Sequence, residues 1–597
     1  MFHMDDNNFI LIATNNFKIG HTYNLLTKDS STSLNIFGSL NSNIKSYLHD
    51  SRRLYILGHP FYHSTIDNDS FFSQYLNKQH NNAQLSEING EFLLVEENQK
   101  SNLLKIINSR FGTPIFWYFI NQEGFIGCTS YYHLAKIINE HGFFEINQNA
   151  FYEFFNYRRL FGDKTFDIST KYLKPASILS YDFNKIDIKQ YWRISYNENS
   201  HSLKSNTSDF ISTLKLAIKR KTSDKKRYGL MLSGGMDTRT ILAAFEDKIP
   251  HCFNLTYSKK SREYEVAKTL AKSINADFSW IKINEDHEKK YFSTSVKTTS
   301  GMYMTPSLFL GHKDKIKIKA DIILAGYGFD YFFQGMYLPM KDFRIIHPGI
   351  WIRRLHKIKG DLVKYFLDNI SYKTKGLPSH SLIKSNIKAH YYEHIYATIS
   401  SAIDEACNLT DNTFKIWEHI SLGDLSRHVT YGGQLELMTL SEYRTVAYDN
   451  DIYNLYASTP VHQRYDAKIM RKALKIMNPK FYNYISANSG HPIKHGTNFR
   501  LAYRIFDGIK KYSRIKKESF STNNFKRTWL PIEYVIRNQM KEEVLSLKNS
   551  NEISSLDIID MDILREKIDL WEDGKVTGDQ TFFNLLIIQS FIRNINS

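Results

Sequence analysis

Cysteine is scarce. Cys128, Cys252 and Cys407 are the only three among 597 residues. They lie too far apart to show a metal-ligand spacing, and nothing in their placement implies disulfides, which suits a reducing cytoplasm. Long apolar runs are missing too. No segment reaches the roughly 18 apolar residues that a membrane span requires. The richest, Phe582 to Ile592, is broken by Asn584 and Gln589 and reads as a buried helix. The opening Met-Phe-His-Met-Asp-Asp lacks the basic and apolar regions of a secretory signal. A cytoplasmic protein without a membrane partner is the expectation. Acidic residues are outnumbered, 61 against 78 Lys and Arg, for a net charge of +17. That excess would suit nucleic acid. No standard nucleic-acid motif accompanies it, however, and the basic stretch from Lys510 to Lys526 lacks aromatics spaced for base stacking. A lysine-rich solvated surface is expected, and nucleic acid is not expected as a partner. The Gly-Lys-[Ser/Thr] ending of a Walker loop is also absent from the one phosphate-loop candidate.

What is present is the balance of a globular protein: 42% hydrophobic and 23% charged residues. The length allows two or more domains. The first third carries strand-like runs: Asn8 to Ala13, Arg53 to Leu57, Glu91 to Val95, Leu103 to Ile107 and Ile115 to Phe119. Turn residues such as Asn89-Gly90 and Gly112-Thr113-Pro114 separate several of them. Phe71 to Leu76 and Tyr131 to Ile138 read as helices. Sheets covered by helices, an α+β layered sandwich, are expected here, with Cys128 in the core.

From Asn206 a helix is expected, capped by Ser208 or Asp209, with Phe210, Ile211, Leu214, Ala217 and Ile218 on one face. Then comes Tyr228-Gly-Leu-Met-Leu-Ser-Gly-Gly-Met-Asp-Thr-Arg239. A short apolar strand, a small-residue turn and a helix opened by Asp237 make an anion site. A carboxylate beside bound phosphates calls for Mg²⁺ between them. Strands at His251 to Leu255, Phe278 to Ile283 and Asp321 to Ala325, alternating with helices, predict a doubly wound parallel sheet that binds ligands at its carboxyl edge. The last strand ends in Ala325-Gly-Tyr-Gly-Phe-Asp330, which sets Asp330 beside Asp237.

The Ser-Gly-Gly-x-Asp-Thr loop resembles that of the ATP pyrophosphatases. The wider pattern resembles asparagine synthetases from about residue 50 onward. The motifs carrying it are Asn89-Gly-Glu-Phe92, Arg110-Phe-Gly112, Leu173-Lys-Pro-Ala176, Gln190-Tyr-Trp192, Gly326-x-Gly328-x-Asp330, and Glu442-x-Arg444 with Asp449. The resemblance implies an N-terminal-nucleophile-like glutaminase domain over residues 1–200. It further implies an ATP-pyrophosphatase synthetase domain over 201–597, with a helical insertion around 340–420 and a helical C-terminal part. The glutaminase is expected to be inactive. Its cysteine at position two is Phe2 here, His3 and Met4 offer no substitute, and its oxyanion Asn-Gly is Leu57-Gly58. A leucine side chain cannot donate a hydrogen bond.

The same resemblance implies the cofactors ATP and Mg²⁺. Asp237 and Asp330 would hold the metal. Ser233, Gly234, Gly235, Thr238 and Gly326 would line the phosphates, with Leu232 and Leu255 walling the nucleotide. The family's adenylate-stabilising Lys falls on Asn488, and Lys494 nearby is the candidate substitute. Tyr327 stands where asparagine-forming members carry Glu. β-Lactam and carbapenam synthetases carry Tyr there, paired with a Glu; Glu418, Asp424 and Glu436 are all candidate partners. Glu442 and Arg444 are expected to form a structural clasp. The expected reaction is ATP-dependent amide formation, in which a small-molecule or peptide carboxylate becomes an acyl-adenylate and then meets an amine, without glutamine hydrolysis. Peptide cyclisation, natural-product or surface-polysaccharide amidation, an RNA-modifying ATP pyrophosphatase and a non-catalytic nucleotide binder stay open as alternatives. A homodimer is compatible with this reading.

Overall fold

The computed structural model describes residues 9–19, 24–26, 34–38, 44–62, 68–77, 81–303, 308–346, 350–496 and 530–597. Phe2, His3, Met4 and the basic stretch 510–526 lie outside the described residues.

The first third forms two six-stranded sheets. One joins β1 (Ile10–Thr14), β2 (Asn24–Leu25), β3 (Leu34–Gly38), β8 (Trp117–Asn121), β9 (Gly124–Cys128) and β10 (Lys171–Tyr172) in the order β10-β8-β9-β1-β3-β2. The other joins β4 (Lys45–His49), β5 (Arg52–Gly58), β6 (Phe92–Asn98), β7 (Leu103–Asn108), β11 (Ser177–Tyr181) and β12 (Ile186–Gln190) in the order β12-β11-β7-β6-β5-β4. Period-two alternation sorts their faces. Ile10 and Ile12 point between the sheets, where they meet Leu57, Val95 and Ile106. Leu11 and Ala13 point the other way, into the core shared with α3 (Tyr131–Glu140) and α4 (Gln148–Tyr157). Leu54 and Ile56 face α1 (Asn68–Asn77) and α2 (Asn82–Ser86), packing on Phe71, Tyr75 and Leu85. The result is helix, sheet, sheet and helix in four layers. Each fully buried Leu or Ile contributes roughly 1.5–3 kcal/mol. Cys128 is fully buried at the end of β9.

The helix expected from Asn206 starts earlier. It is α5 (Leu203–Lys221), capped by Ser202, whose hydroxyl accepts from the Ser205 N–H at 3.2 Å. Ser208 and Asp209 lie inside the helix, because the earlier serine satisfies the orphan N–H first. Phe210, Leu214, Ala217 and Ile218 are buried as expected, while Ile211 is half-buried.

A five-stranded parallel sheet follows, in the order β15-β14-β13-β16-β19. Its strands are β13 (Tyr228–Met231), β14 (His251–Thr256), β15 (Phe278–Lys282), β16 (Ile322–Ala325) and β19 (Glu442–Thr445). Between them run α6 (Asp237–Ala243), α7 (Arg262–Ser273), α8 (His287–Thr298) and the short α9 (Lys313–Lys317). The chain steps outward from β13 to β15, then crosses back to β16 on the other flank. That reversal opens a crevice at the carboxyl ends of β13 and β16. β16 leads into α10 (Phe329–Phe332).

The insertion begins as an antiparallel hairpin, β17 (Met340–Ile346) and β18 (Ile350–Leu355), so the expectation of a helical insertion from residue 340 is corrected. Helices do fill the rest: α11 (Leu362–Asn369), α12 (Lys388–Cys407) and α13 (Thr413–Leu422). α14 (Tyr431–Leu440) and α15 (Asn450–Ser458) flank β19. A long helix, Asp579–Asn596, closes the chain. No helix among the described residues is long and apolar enough to cross a membrane.

Candidate active site

The loop after β13 is bound tightly to its surroundings. The Ser233 N–H donates to Thr238 Oγ1 at 3.0 Å, the Gly234 N–H to Glu263 Oε1 at 2.6 Å, and the Gly235 N–H to Ser233 Oγ at 3.2 Å. The three amides expected to cradle phosphate therefore point at protein acceptors in this state, and a carboxylate already occupies one of them. Gly234 is glycine for closeness: a Cβ there would collide with Ala487. Gly326 is glycine for the same reason, since its Cβ would lie 2.8 Å from Asp237 Cβ and 3.0 Å from the Thr238 N. It lets the end of β16 touch the start of α6. Leu232 is buried at the strand end, and its carbonyl accepts from Asn254 at 2.9 Å, beside Leu255.

Asp237 opens α6 after β13, and Asp330 sits in α10 after β16. Both are half-buried at the floor of the crevice. Desolvation pushes the Asp237 carboxyl up to about 7, with Gln334 Nε2 donating to it at 2.5 Å. Desolvation, and then the Asp237 charge, hold Asp330 well above the usual carboxylate range. Two carboxylates that resist ionising together, with no basic side chain acting on either among the described residues, are under-compensated without a cation. Among the described residues they belong to no group of three or more metal-ligating side chains. That is the donor set of Mg²⁺ held by one or two carboxylates plus substrate phosphates, not of a closed protein cage, so the residues fit Mg²⁺–ATP.

Tyr327 lies between Gly326 and Gly328, half-buried in the same crevice. Gly328 needs its positive φ of 96°, and a Cβ there would press on Ala447. The Tyr327 hydroxyl reaches α14, filling the space a side chain at Gly433 would take. Burial, the Glu436 charge and the Asp330 charge together raise the phenol above its ordinary value. The structure thereby sorts the three candidate partners. Glu418 is consumed by Arg464 at 2.5 Å. Asp424 is half-buried and faces the charges of Lys174, Arg427 and Arg159. Glu436, one helical turn beyond Gly433, is the carboxylate that faces Tyr327. It accepts from Ser295 Oγ at 2.7 Å and the Phe309 N–H at 3.5 Å, and burial pushes it up to about 8.

Lys494 is exposed, and its N–H donates to the Tyr482 carbonyl at 3.1 Å. Asn488 lies at the loop instead, with Nδ2 4.0 Å from where a Gly235 Cβ would stand. Sequence reasoning missed Arg239, which is fully buried. It donates to the carbonyls of Gly234, Phe481, Tyr484 and Ile485 at 2.7–3.1 Å, tying the late segment to the loop after β13. Its place two residues after Asp237 was the available signal. Glu442 and Arg444 form a clasp as expected, with Arg444 bridging Glu442 and Asp224.

Residues 209–418 match the asparagine synthase family model. A relative, "Asparagine synthetase [glutamine-hydrolyzing] 3" of Bacillus subtilis (strain 168), is 23% identical over 455 residues, covering 71% of this chain and 70% of that protein. The chain is asparagine synthetase-like. It is accordingly a carbon–nitrogen ligase, with a domain of ATP-dependent amide bond formation. Two solved structures also align. One is the allosteric regulatory enzyme of purine biosynthesis, at 7% identity, with 56% of this chain and 70% of that one covered and a TM-score of 0.20. The other is glutamine phosphoribosylpyrophosphate amidotransferase from B. subtilis complexed with ADP and GMP, at 7% identity, 48% and 65% coverage and a TM-score of 0.19. Likeness that low carries no argument for this asparagine synthetase-like chain.

Proposed function

We propose that this chain activates a carboxylate with ATP as an acyl-adenylate, releasing pyrophosphate, and then joins it to an amine. The observation that carries the reading is the pair Asp237 and Asp330, two uncompensated carboxylates on adjacent strand ends at the switch point of a parallel sheet. These two side chains would hold Mg²⁺, which supplies charge neutralisation on the phosphates when bound. Asp237 is positioned by Gln334, and Gly326 brings α6 against β16 so that both carboxylates face one ligand. The loop Ser233 to Gly235 and Thr238 would hold the pyrophosphate once Glu263 yields the Gly234 N–H. Leu232 and Leu255 would wall the nucleotide.

In the second step the amine nitrogen bonds to the acyl carbon, the carbon–oxygen bond to phosphate breaks, and AMP leaves with its electron pair. The amine's proton passes to Tyr327 as the Tyr327 proton passes to Glu436. A phenol held above its ordinary pKa is no base alone, so the carboxylate is required. The N-terminal sheets are read as a scaffold that does not hydrolyse glutamine, because Leu57 stands in place of the oxyanion donor and is buried between the sheets.

The test is product identity and isotope exchange. With a panel of carboxylates, Mg²⁺-dependent ATP–pyrophosphate exchange is expected, and Asp237→Asn and Asp330→Asn should each lower it by about 100-fold or more while the fold stays intact. Release of ADP and phosphate instead would sink the reading.

A further inference from the structure

The ribbon of β17 and β18 joins no other sheet among the described residues. Two strands alone are marginally stable in water, so what its side chains present to solvent matters. Its root lies beside the crevice. Gln334, which donates to Asp237, comes just before β17 in the chain. The His356 N–H donates to the Pro339 carbonyl at 2.9 Å and closes the root. Tyr465 spans the remaining gap. Its Cα is 3.4 Å from where a Gly335 Cβ would stand, and its hydroxyl donates to the Arg353 carbonyl at 2.5 Å.

Residues directly opposite each other in an antiparallel pair share a face. On one face Asp342 stands opposite Arg353, and the two side chains join at 2.8 and 3.0 Å. That face neutralises itself. On the other, Lys341 stands opposite Arg354. Two cations in that relation destabilise a strand pair. Both are exposed, and neither forms an ion pair among the described residues. On the same face Phe343 stands opposite Ile352. Phe343 is 47% exposed and Ile352 is half-buried. The face therefore presents two facing cations near the root and, about 7 Å further out, an accessible apolar pair. Lysines that only guard a free strand edge need no apolar pair beside them.

We propose that this face docks an extended acidic peptide. A carboxylate of the peptide sits against Lys341 and Arg354. The apolar side chain two residues along meets Phe343 and Ile352, because alternate side chains of an extended peptide repeat at the spacing of the strand itself. A nucleic acid fits less well. Two cations neutralise only two phosphates, which gives little affinity at physiological salt, and one phenyl ring stacks a single base. On the ligase reading, on which this last step rests, the docked peptide is the substrate whose carboxylate reaches the crevice at the ribbon's root.

Fluorescence anisotropy on the full chain, without ATP, tests the docking. The probe is a labelled peptide of repeating Glu-Thr-Leu-Thr, which sets Glu and Leu alternately along one face of a strand. It is compared with the same peptide carrying Lys for Glu, and with a labelled oligothymidylate of matching length. The Glu peptide is expected to bind about tenfold tighter than either. Lys341→Glu combined with Arg354→Glu should reverse the preference, so that the Lys peptide binds better. Phe343→Ser should weaken the Glu peptide about tenfold. These side chains are exposed, and the thermal midpoint of each variant shows that the fold is kept. Equal binding of the two peptides, tighter binding of the oligothymidylate, or a preference that survives the double charge reversal would overturn the docking face. Docking without ATP–pyrophosphate exchange removes the ligase reading, and the substrate role with it, while exchange without docking removes the face alone.

Discussion

Tyr327 and Glu436 show how little a residue's identity says without its neighbours. The sequence offered three acids for the tyrosine; Arg464 takes Glu418, and Asp424 lies among Lys174, Arg427 and Arg159. Gly433 makes room for the hydroxyl, and Glu436 lies one turn on. Tyr327→Phe is expected to slow amide formation by about 100-fold or more and leave adenylation nearly unchanged, because only the second step needs a proton removed. Rapid-quench comparison of pyrophosphate release with product formation checks this. Equal slowing of both steps would assign the hydroxyl to substrate binding instead. Glu436 adds a pH dependence. Burial raises it to about 8, while the bonds from Ser295 and Phe309 pull the other way. In the ionised form it can take a proton, so the rate of the amide step should climb with pH and level off above about 8. The same shift acts oppositely on stability. The folded state holds this proton where the unfolded chain has lost it, between the ordinary carboxylate range and about 8, so stability from this group falls as pH rises across that window. Glu436→Gln should flatten both profiles, and a rate profile unchanged in that variant would assign the titration elsewhere.

At the scale of elements, the site depends on how closely β16 approaches α6. Gly326→Ala would set a methyl 2.8 Å from Asp237 Cβ, well inside contact distance and against a helix start that cannot rotate away. The expected cost is about 1–3 kcal/mol of stability. Loss of Mg²⁺–ATP binding should exceed what that destabilisation explains, and calorimetric titration alongside thermal unfolding separates the two. Normal nucleotide affinity in the variant would show that the contact does not position Asp237.

β1, β5, β6, β7 and β8, and the first four strands of the parallel sheet, were legible because apolar and β-branched runs announce them, whereas β3, β4, β11 and β12 were not read. That the strands of the second sheet run parallel followed from their alternation with helices. β19 was not legible as a strand. Its Glu-Tyr-Arg-Thr is half charged, and those charges are tolerated in a buried edge because Lys226 and Arg444 neutralise Glu442 and Asp224. The hairpin β17–β18 hid inside a stretch whose basic and aromatic content drew attention from its alternation. The turn between β13 and α6 was legible from Ser-Gly-Gly. Its present partners were not, since Glu263 reaches it from α7, and the carbonyls of Phe481, Tyr484 and Ile485 that Arg239 joins to it come from far along the chain.

Across the whole molecule, the sandwich and the parallel sheet meet in a polar seam. His59 donates to Glu442 at 2.6 Å, and Asn89 donates to Asp449 at 3.0 Å. Burial would raise Glu442, but His59, Arg444 and Lys226 hold it well below the usual carboxylate range. The centre of the seam is Glu91. One of its oxygens accepts from the Thr445 hydroxyl at 2.8 Å; the other takes the Thr445 N–H at 2.8 Å and the Lys221 ammonium at 3.3 Å. Lys221, the last residue of α5, is 1% exposed and also donates to the Tyr448 carbonyl at 3.0 Å. A buried pair of this kind adds little net stability against an apolar alternative, yet removing one partner strands the other charge. Lys221→Met should therefore cost about 3–5 kcal/mol, while Lys221→Met combined with Glu91→Gln should recover much of it, because no charge is then left alone. Denaturant unfolding of the three proteins measures the coupling between the two changes. Additive costs would mean that the two side chains stabilise their own regions independently. A large positive recovery would mean that the N-terminal sheets are held to the parallel sheet through this contact, and that they brace the strand, β19, that carries Thr445.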